Sequence, residues 1–310
     1  MTARNVGVWF TTGLIAAALT GCGNGTGPND PVISLQITAS ADTAVSIGET
    51  VTFDVLGLTA GGDTVTTGYA WISDSAQVAT ISGTGASVNA ISVGNGNTTI
   101  RVSRDSISAQ ATLVVQQVAV AVVMSADSTT LIETFTAQLT AAAQDANAND
   151  VVGATVVWSA DAGAATVNGT GLVTGAGPGT ANVIATYGTL ADSSWVTVEA
   201  ISYAAHVQPI FDANCATAGC HVTATQPAGL DLSSGNSYAD LVNVNSTQAG
   251  GGVRRVKANQ SANSYVIHKL EGTQASVGGS GVQMPSGASP LAQETINVIK
   301  LWIDRGAVNN

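Results

Sequence analysis

The residues best equipped for chemistry lie close together: Cys215 and Cys220, with His221 directly after the second cysteine. Two thiols followed at once by an imidazole suit the covalent attachment of haem. Each thiol can add to one vinyl group of the macrocycle. A histidine carried by the second thioether then reaches the iron. Four residues separate the cysteines, so the loop must bulge to bring both sulfurs to one ring. Gly219, with the small Ala216 and Ala218, makes that bulge feasible. Attachment through one cysteine alone stays open on this spacing. So does a Cys215–Cys220 disulfide in an oxidising compartment. A Cys/His zinc site lacks a fourth ligand at the usual spacing.

Iron in an electron carrier takes two axial ligands, and histidine with methionine is one such pair. The methionines are Met1, Met124 and Met284. Met124 falls in an alternating apolar stretch and reads as core packing. Met284 follows Gly278-Gly279-Ser280-Gly281-Val282-Gln283 and precedes Pro285, a loop better suited to delivering a ligand than to packing. It lies 63 residues after His221. His268 is the competing sixth ligand, on an expected helix around residues 264–270. An open sixth position would instead allow ligand binding or peroxidase-like chemistry. His206 is expected at the surface. Arg254, Arg255 and Lys257 read either as partners for haem carboxylates or a redox protein, or as a solvated loop.

The elements that must hold these residues are helical. Residues 202–214 place Val207, Ile210 and Phe211 on one side. A last helix has Ser289 as its expected cap, Pro290 in its first turn and Gly306 as its stop. Ile296, Ile299, Trp302 and Ile303 make its apolar face. A helix before the cysteines, a Met-Pro loop and a final Trp-Ile-x-x-Gly helix together resemble the class I-like cytochrome c domain, over residues 200–310. That family normally has two residues between its cysteines, where this sequence has four. The resemblance implies a mainly α domain with one covalent haem c on Cys215 and Cys220, and His221 and Met284 on the iron. It also implies single-electron transfer to a redox partner protein rather than enzymatic turnover.

Ahead of it lies an internal repeat. Trp71-x-x-Asp74 recurs as Trp158-x-x-Asp161. Ala79-Thr80-Ile81-Ser82-Gly83-Thr84-Gly85 recurs as Ala165-Thr166-Val167-Asn168-Gly169-Thr170-Gly171. Short alternating runs such as Val51-Thr52-Phe53-Asp54-Val55 surround both copies and read as half-buried strands. Two modules, residues 31–115 and 116–199, resemble bacterial immunoglobulin-like domains of group 2. The resemblance implies two all-β sandwiches in tandem, here a spacer. Neither contains a cysteine, so their tryptophans are expected to anchor the cores. Their acids, Asp145 and Asp150 among them, are scattered and read as solvated turns. A calcium ion needs six to eight oxygen ligands, and no clustered acidic loop supplies them.

At the N-terminus, Arg4, an apolar run over residues 6–19 and Leu19-Thr20-Gly21-Cys22 read as a signal segment too short to span a bilayer. Leu-Thr-Gly-Cys resembles the lipobox of bacterial lipoproteins. It implies a signal peptide over residues 1–21, acylation of Cys22, a flexible tether over residues 22–30 and a lipid anchor in the cell envelope. Gly23 after the cysteine favours the outer membrane, facing periplasm or surface.

Composition excludes other classes. The chain has 310 residues, net charge −11 and only 9% charged residues, so it lacks the basic face that nucleic acid requires. Residues 31–199 carry 13 acidic and 2 basic side chains, whereas residues 200–310 carry 6 of each. No Ser/His/Asp set, phosphate loop or paired carboxylate motif points to another enzyme class. The alternative function is a non-redox surface adhesin or envelope scaffold, in which Cys215 and Cys220 would form a disulfide.

Overall fold

The structure is a computed structural model that describes residues 31–310 apart from Ala162. The signal peptide, the tether and the lipid expected on Cys22 lie outside the described residues.

Alternation builds the first β-module. Strand Thr50–Thr59 buries every second residue, with Val51, Phe53 and Val55 inward and polar residues between them. It pairs antiparallel with Val32–Ala39 on one side and Ser87–Ser92 on the other; Ala79–Ser82 extends the sheet. The facing sheet runs Thr43–Ala44, Ile107–Val115, Gly96–Arg104, Ala70–Ser73. Ile100 and Leu113 project from it onto Phe53, and all three are fully buried. Residues 144–152, further along the chain, fold with this module.

The second β-module pairs Ser128–Ile132, Leu190–Glu199, Gly179–Tyr187 and Val157–Ala160 in one sheet. Thr136–Gln138, Leu172–Gly175 and Ala165–Val167 form another. Val173, Val183 and Val196 fill its centre, and Met124 belongs to this core. The repeated Gly-Thr-Gly ends on a steric demand. Gly171 has φ +82°, and a Cβ there would meet the Leu139 carbonyl at 2.3 Å and the Trp158 ring at 2.8 Å. The tryptophans do not anchor the cores as expected. Trp71 and Trp158 are only partly buried at the core edges, and Trp195 is exposed. The Trp71 indole instead donates to the Gly85 carbonyl at 2.9 Å, tying strand to hairpin.

Residues 200–310 are less helical than the expected mainly α domain. Tyr203–Val207 runs as a π-turn into the helix Gln208–Asn214; Ser237–Leu241, Tyr265–Glu271 and Gln293–Asp304 follow, joined by long irregular segments. The last helix starts later than its expected cap. Ala292 is the N-cap, and neither Ser289 nor Pro290 lies in the helix. Leu291 packs on the core ahead of it and Ile296 within it, at the spacing of a hydrophobic staple, so apolar contact sets the start. Gly306, at φ +102°, ends it. Ile296, Ile299, Trp302 and Ile303 are buried against Val207, Phe211, Leu241 and Ile267. This part is docked on the second β-module: Ile132 packs on its core, and Arg305 Nη2 meets the buried Glu133 carboxylate at 2.6 Å. Among the described residues, no helix is long and apolar enough to cross a membrane.

Candidate functional site

The helix Gln208–Asn214 delivers the first cysteine. The Cys215 and Ala216 amides both donate to the Phe211 carbonyl at 2.8 Å, which closes the helix end. The chain then loops out and returns, and the His221 amide donates to the Cys215 carbonyl at 3.0 Å. Gly219 sits at φ +83° in that loop. The four-residue spacer is therefore taken up as a local bulge.

Cys215, Cys220, His221 and Met284 all line one cavity of about 280 Å³. Phe211, Leu230, Leu241 and Leu270 supply apolar wall. Both cysteines are free thiols. Cys215 is buried, and desolvation, with the neighbouring Cys220, pushes its thiol up to about 11. His221 Nδ1 lies 3.2 Å from the Leu230 carbonyl. A carbonyl only accepts, so Nδ1 carries the proton and Nε2 keeps its lone pair. Burial lowers the His221 pKa, which favours the neutral imidazole that ligates metals. The Met284 amide donates to the Lys269 carbonyl at 2.8 Å, and the side chain packs against the core.

The ring of supports is polar. Asp231 is buried and accepts from Thr223 Oγ1 at 2.7 Å, Asn236 Nδ2 at 2.9 Å and the Ser233 amide at 2.9 Å. These bonds, led by those of Ser233 and Thr223, hold its carboxyl well below the usual range. Leu232 in turn donates to the His221 carbonyl at 2.8 Å. Arg255 and Lys269 also line the cavity, and desolvation lowers the pKa of each.

Other expectations are placed elsewhere. His268 does not line the cavity; its Nδ1 pairs with Thr273 Oγ1 at 2.9 Å. His206 is not a free surface residue, because Nδ1 accepts from the Ser202 amide at 3.0 Å and Nε2 lies 3.4 Å from Glu199. Arg254 donates to Asn243. Arg255 is buried rather than solvated. Nothing in the sequence marks Lys269: a lysine on a short helix carries no signal of facing inward.

Donor set and cavity fit a covalently held haem. Two unpaired thiols, a histidine with a free Nε2 and a thioether converge on an apolar space. Charged supports stand at its wall.

Residues 118–198 match the family model of the bacterial Ig-like domain (group 2). The described chain is thus mostly β, of immunoglobulin-like sandwich type, with a small helical C-terminal part. No curated protein matches the chain. Among solved structures, it is similar to domains 1–6 of the surface layer protein SbsC, at 16% identity and TM-score 0.29, over 55% of this chain and 28% of that one. It is also similar to a C-terminal 282-residue fragment of intimin bound to the intimin-binding domain of its translocated receptor, at 15% identity and TM-score 0.30, over 57% and 71%. FdeC, an Escherichia coli adhesin, is similar at 20% identity and TM-score 0.29, over 53% and 64%.

Proposed function

We propose that this protein is a monohaem c-type cytochrome of the cell envelope, anchored by lipid on Cys22, with its two β-modules as spacer. One observation carries the reading: Cys215, Cys220, His221 and Met284 line a single apolar cavity although Met284 lies 63 residues after His221.

Haem bound there supplies a one-electron couple at its iron. The chain does the rest. Cys215 and Cys220 would hold the group covalently, each thioether the redox-neutral product of a thiol and one vinyl C=C bond. His221 Nε2 and the Met284 sulfur would ligate its iron. The Leu230 carbonyl keeps the imidazole in the ligating tautomer. Phe211, Leu241 and Leu270 give the cavity an apolar wall, which with thioether ligation would disfavour the more highly charged ferric state.

The mass of the mature chain, read with a pyridine haemochrome spectrum after maturation in a competent host, tests the proposal. The expected mass includes acyl chains and one haem. A chain without covalent haem overturns it.

A second reading is a surface adhesin or envelope scaffold without redox function, favoured by the match of residues 118–198 to a bacterial Ig-like domain. In it Cys215 and Cys220 pair with each other. Alkylation with and without reductant separates the two readings, since only a disulfide becomes alkylatable on reduction.

A further inference from the structure

Two cations stand at the cavity without an ion-paired acid among the described residues. Arg255 is 8% exposed and Lys269 7%. Removing an unpaired charge from water is costly, so such a group persists only where hydrogen bonds compensate it. Here every side-chain hydrogen bond of either residue ends on a backbone carbonyl, and apart from that of Asp240, in the helix Ser237–Leu241, the carbonyls belong to two particular loops.

Arg255 Nη2 donates to the carbonyls of Ala228 at 2.8 Å and Gly229 at 2.9 Å, and Nη1 to that of Asp240 at 2.8 Å. The next carbonyl along the first loop, that of Leu230, is the one that orients His221. This turn needs holding. Gln226 and Ala228 adopt φ +29° and +58°, a region costly for residues with a Cβ. Lys269 grips the other loop. Its Nζ donates to the carbonyls of Val282 at 2.5 Å and Ser280 at 3.4 Å, while its own carbonyl takes the Met284 amide. Charge-assisted bonds are roughly twice as strong as neutral ones, which suits a cation to gathering several carbonyls.

We propose that Arg255 and Lys269 are positioning residues, each holding the loop behind one iron ligand: Arg255 the histidine side, Lys269 the methionine side. The proposal rests on the haem reading for the ligand roles. The holding of the loops precedes haem and is testable without it.

The test uses the full chain, haem-free and haem-loaded. In the haem-free chain, Lys269→Met is expected to speed hydrogen exchange at the Ser280 and Met284 amides about tenfold or more, leaving Gly229 and Leu230 unchanged. Arg255→Met is expected to do the reverse. In the loaded chain, Lys269→Met is expected to weaken the ferric methionine–iron charge-transfer band while haem stays attached, and Lys269→Arg to keep the band. Should Lys269→Met not fold, Lys269→Gln takes its place, since its shorter neutral amide cannot span both carbonyls. Exchange that is unchanged in both variants, or raised equally around the whole cavity, overturns the proposal. Unchanged exchange is also the result expected if these cations serve only to meet the carboxylates of a bound ligand. A chain that takes no haem refutes the cytochrome reading but leaves the haem-free exchange to decide the loop-holding.

Discussion

Asp145→Asn is expected to loosen the loop around Asp145, which the sequence reads as a solvated turn. Asp145 is 2% exposed. Its Oδ2 accepts from the Ile47 amide and Gln117 Nε2, both at 2.9 Å. Its Oδ1 accepts from the Asn147 and Asn149 amides, both at 3.0 Å. An asparagine side chain has one oxygen, so one pair of donors must face an NH₂ group. The lower-energy choice keeps the oxygen on Ile47 and Gln117 and turns the NH₂ toward the loop amides, where Asn147 is exposed to water. Each orphaned donor costs about 1–3 kcal/mol. Partial hydration of the loop puts the total near about 2–3 kcal/mol, or roughly a 30- to 150-fold faster opening at about 1.4 kcal/mol per tenfold. The chain is multidomain, so a single unfolding midpoint is ill-defined and residue-resolved hydrogen exchange is the assay. The Ile47 and Asn149 amides are expected to exchange faster, and Val183 and Val196 to stay as they are. A pH arm fixes the sign. These hydrogen bonds hold the Asp145 carboxyl well below its ordinary range despite burial. A depressed folded pKa gives stability that is complete above the unfolded value of about 3.9 and is lost as pH falls through the folded value. The difference between wild type and variant should therefore narrow below about pH 4. Equal exchange of Ile47 and Asn149 in the two proteins at neutral pH would refute the argument.

Three further outcomes are expected. Met284→Ala should keep its covalent haem yet bind carbon monoxide at once, read as a difference spectrum of the reduced protein; uptake no faster than wild type would remove Met284 from the iron. In the haem-free chain at pH 8, Cys215 should alkylate more slowly than Cys220, because it is buried with its thiol pushed up to about 11, and peptide mass mapping reads the two rates. Trp302→Ala should destabilise residues 200–310 by about 3–5 kcal/mol. It deletes a fully buried ring that packs 4.8 Å from Tyr203 and donates to the Val308 carbonyl at 2.9 Å, and hydrogen exchange at the Ile299 and Ile303 amides of the last helix would measure the loss.

Local pattern was legible wherever one residue's environment follows from its near neighbours. Alternation over residues 51–55 marked the strand Thr50–Thr59, helical spacing marked the buried face of Gln293–Asp304, and Gly306 marked where that helix stops. What pattern missed was burial reached through distant partners. His206 reads as a surface histidine until Glu199 and Ser202 close on it. Ser289 has the right residue type for a cap, yet the packing of Leu291 and Ile296 starts the helix at Gln293. Trp71 and Trp158 are large and apolar, yet the centres of the sandwiches are filled by Phe53, Ile100, Leu113 and the valines.

By itself, the sequence determined the reactive groups. Thiols, imidazole and thioether have their chemistry wherever they stand, so Cys215, Cys220, His221 and Met284 could be named from type and spacing. Tertiary structure alone decided that these four line one cavity, that the Leu230 carbonyl sets the histidine tautomer, and that Arg255 and Lys269 stand buried beside them. The reason is physical: a side chain's identity is a local property, whereas its solvation and its partners are set by segments that only folding brings within hydrogen-bonding reach.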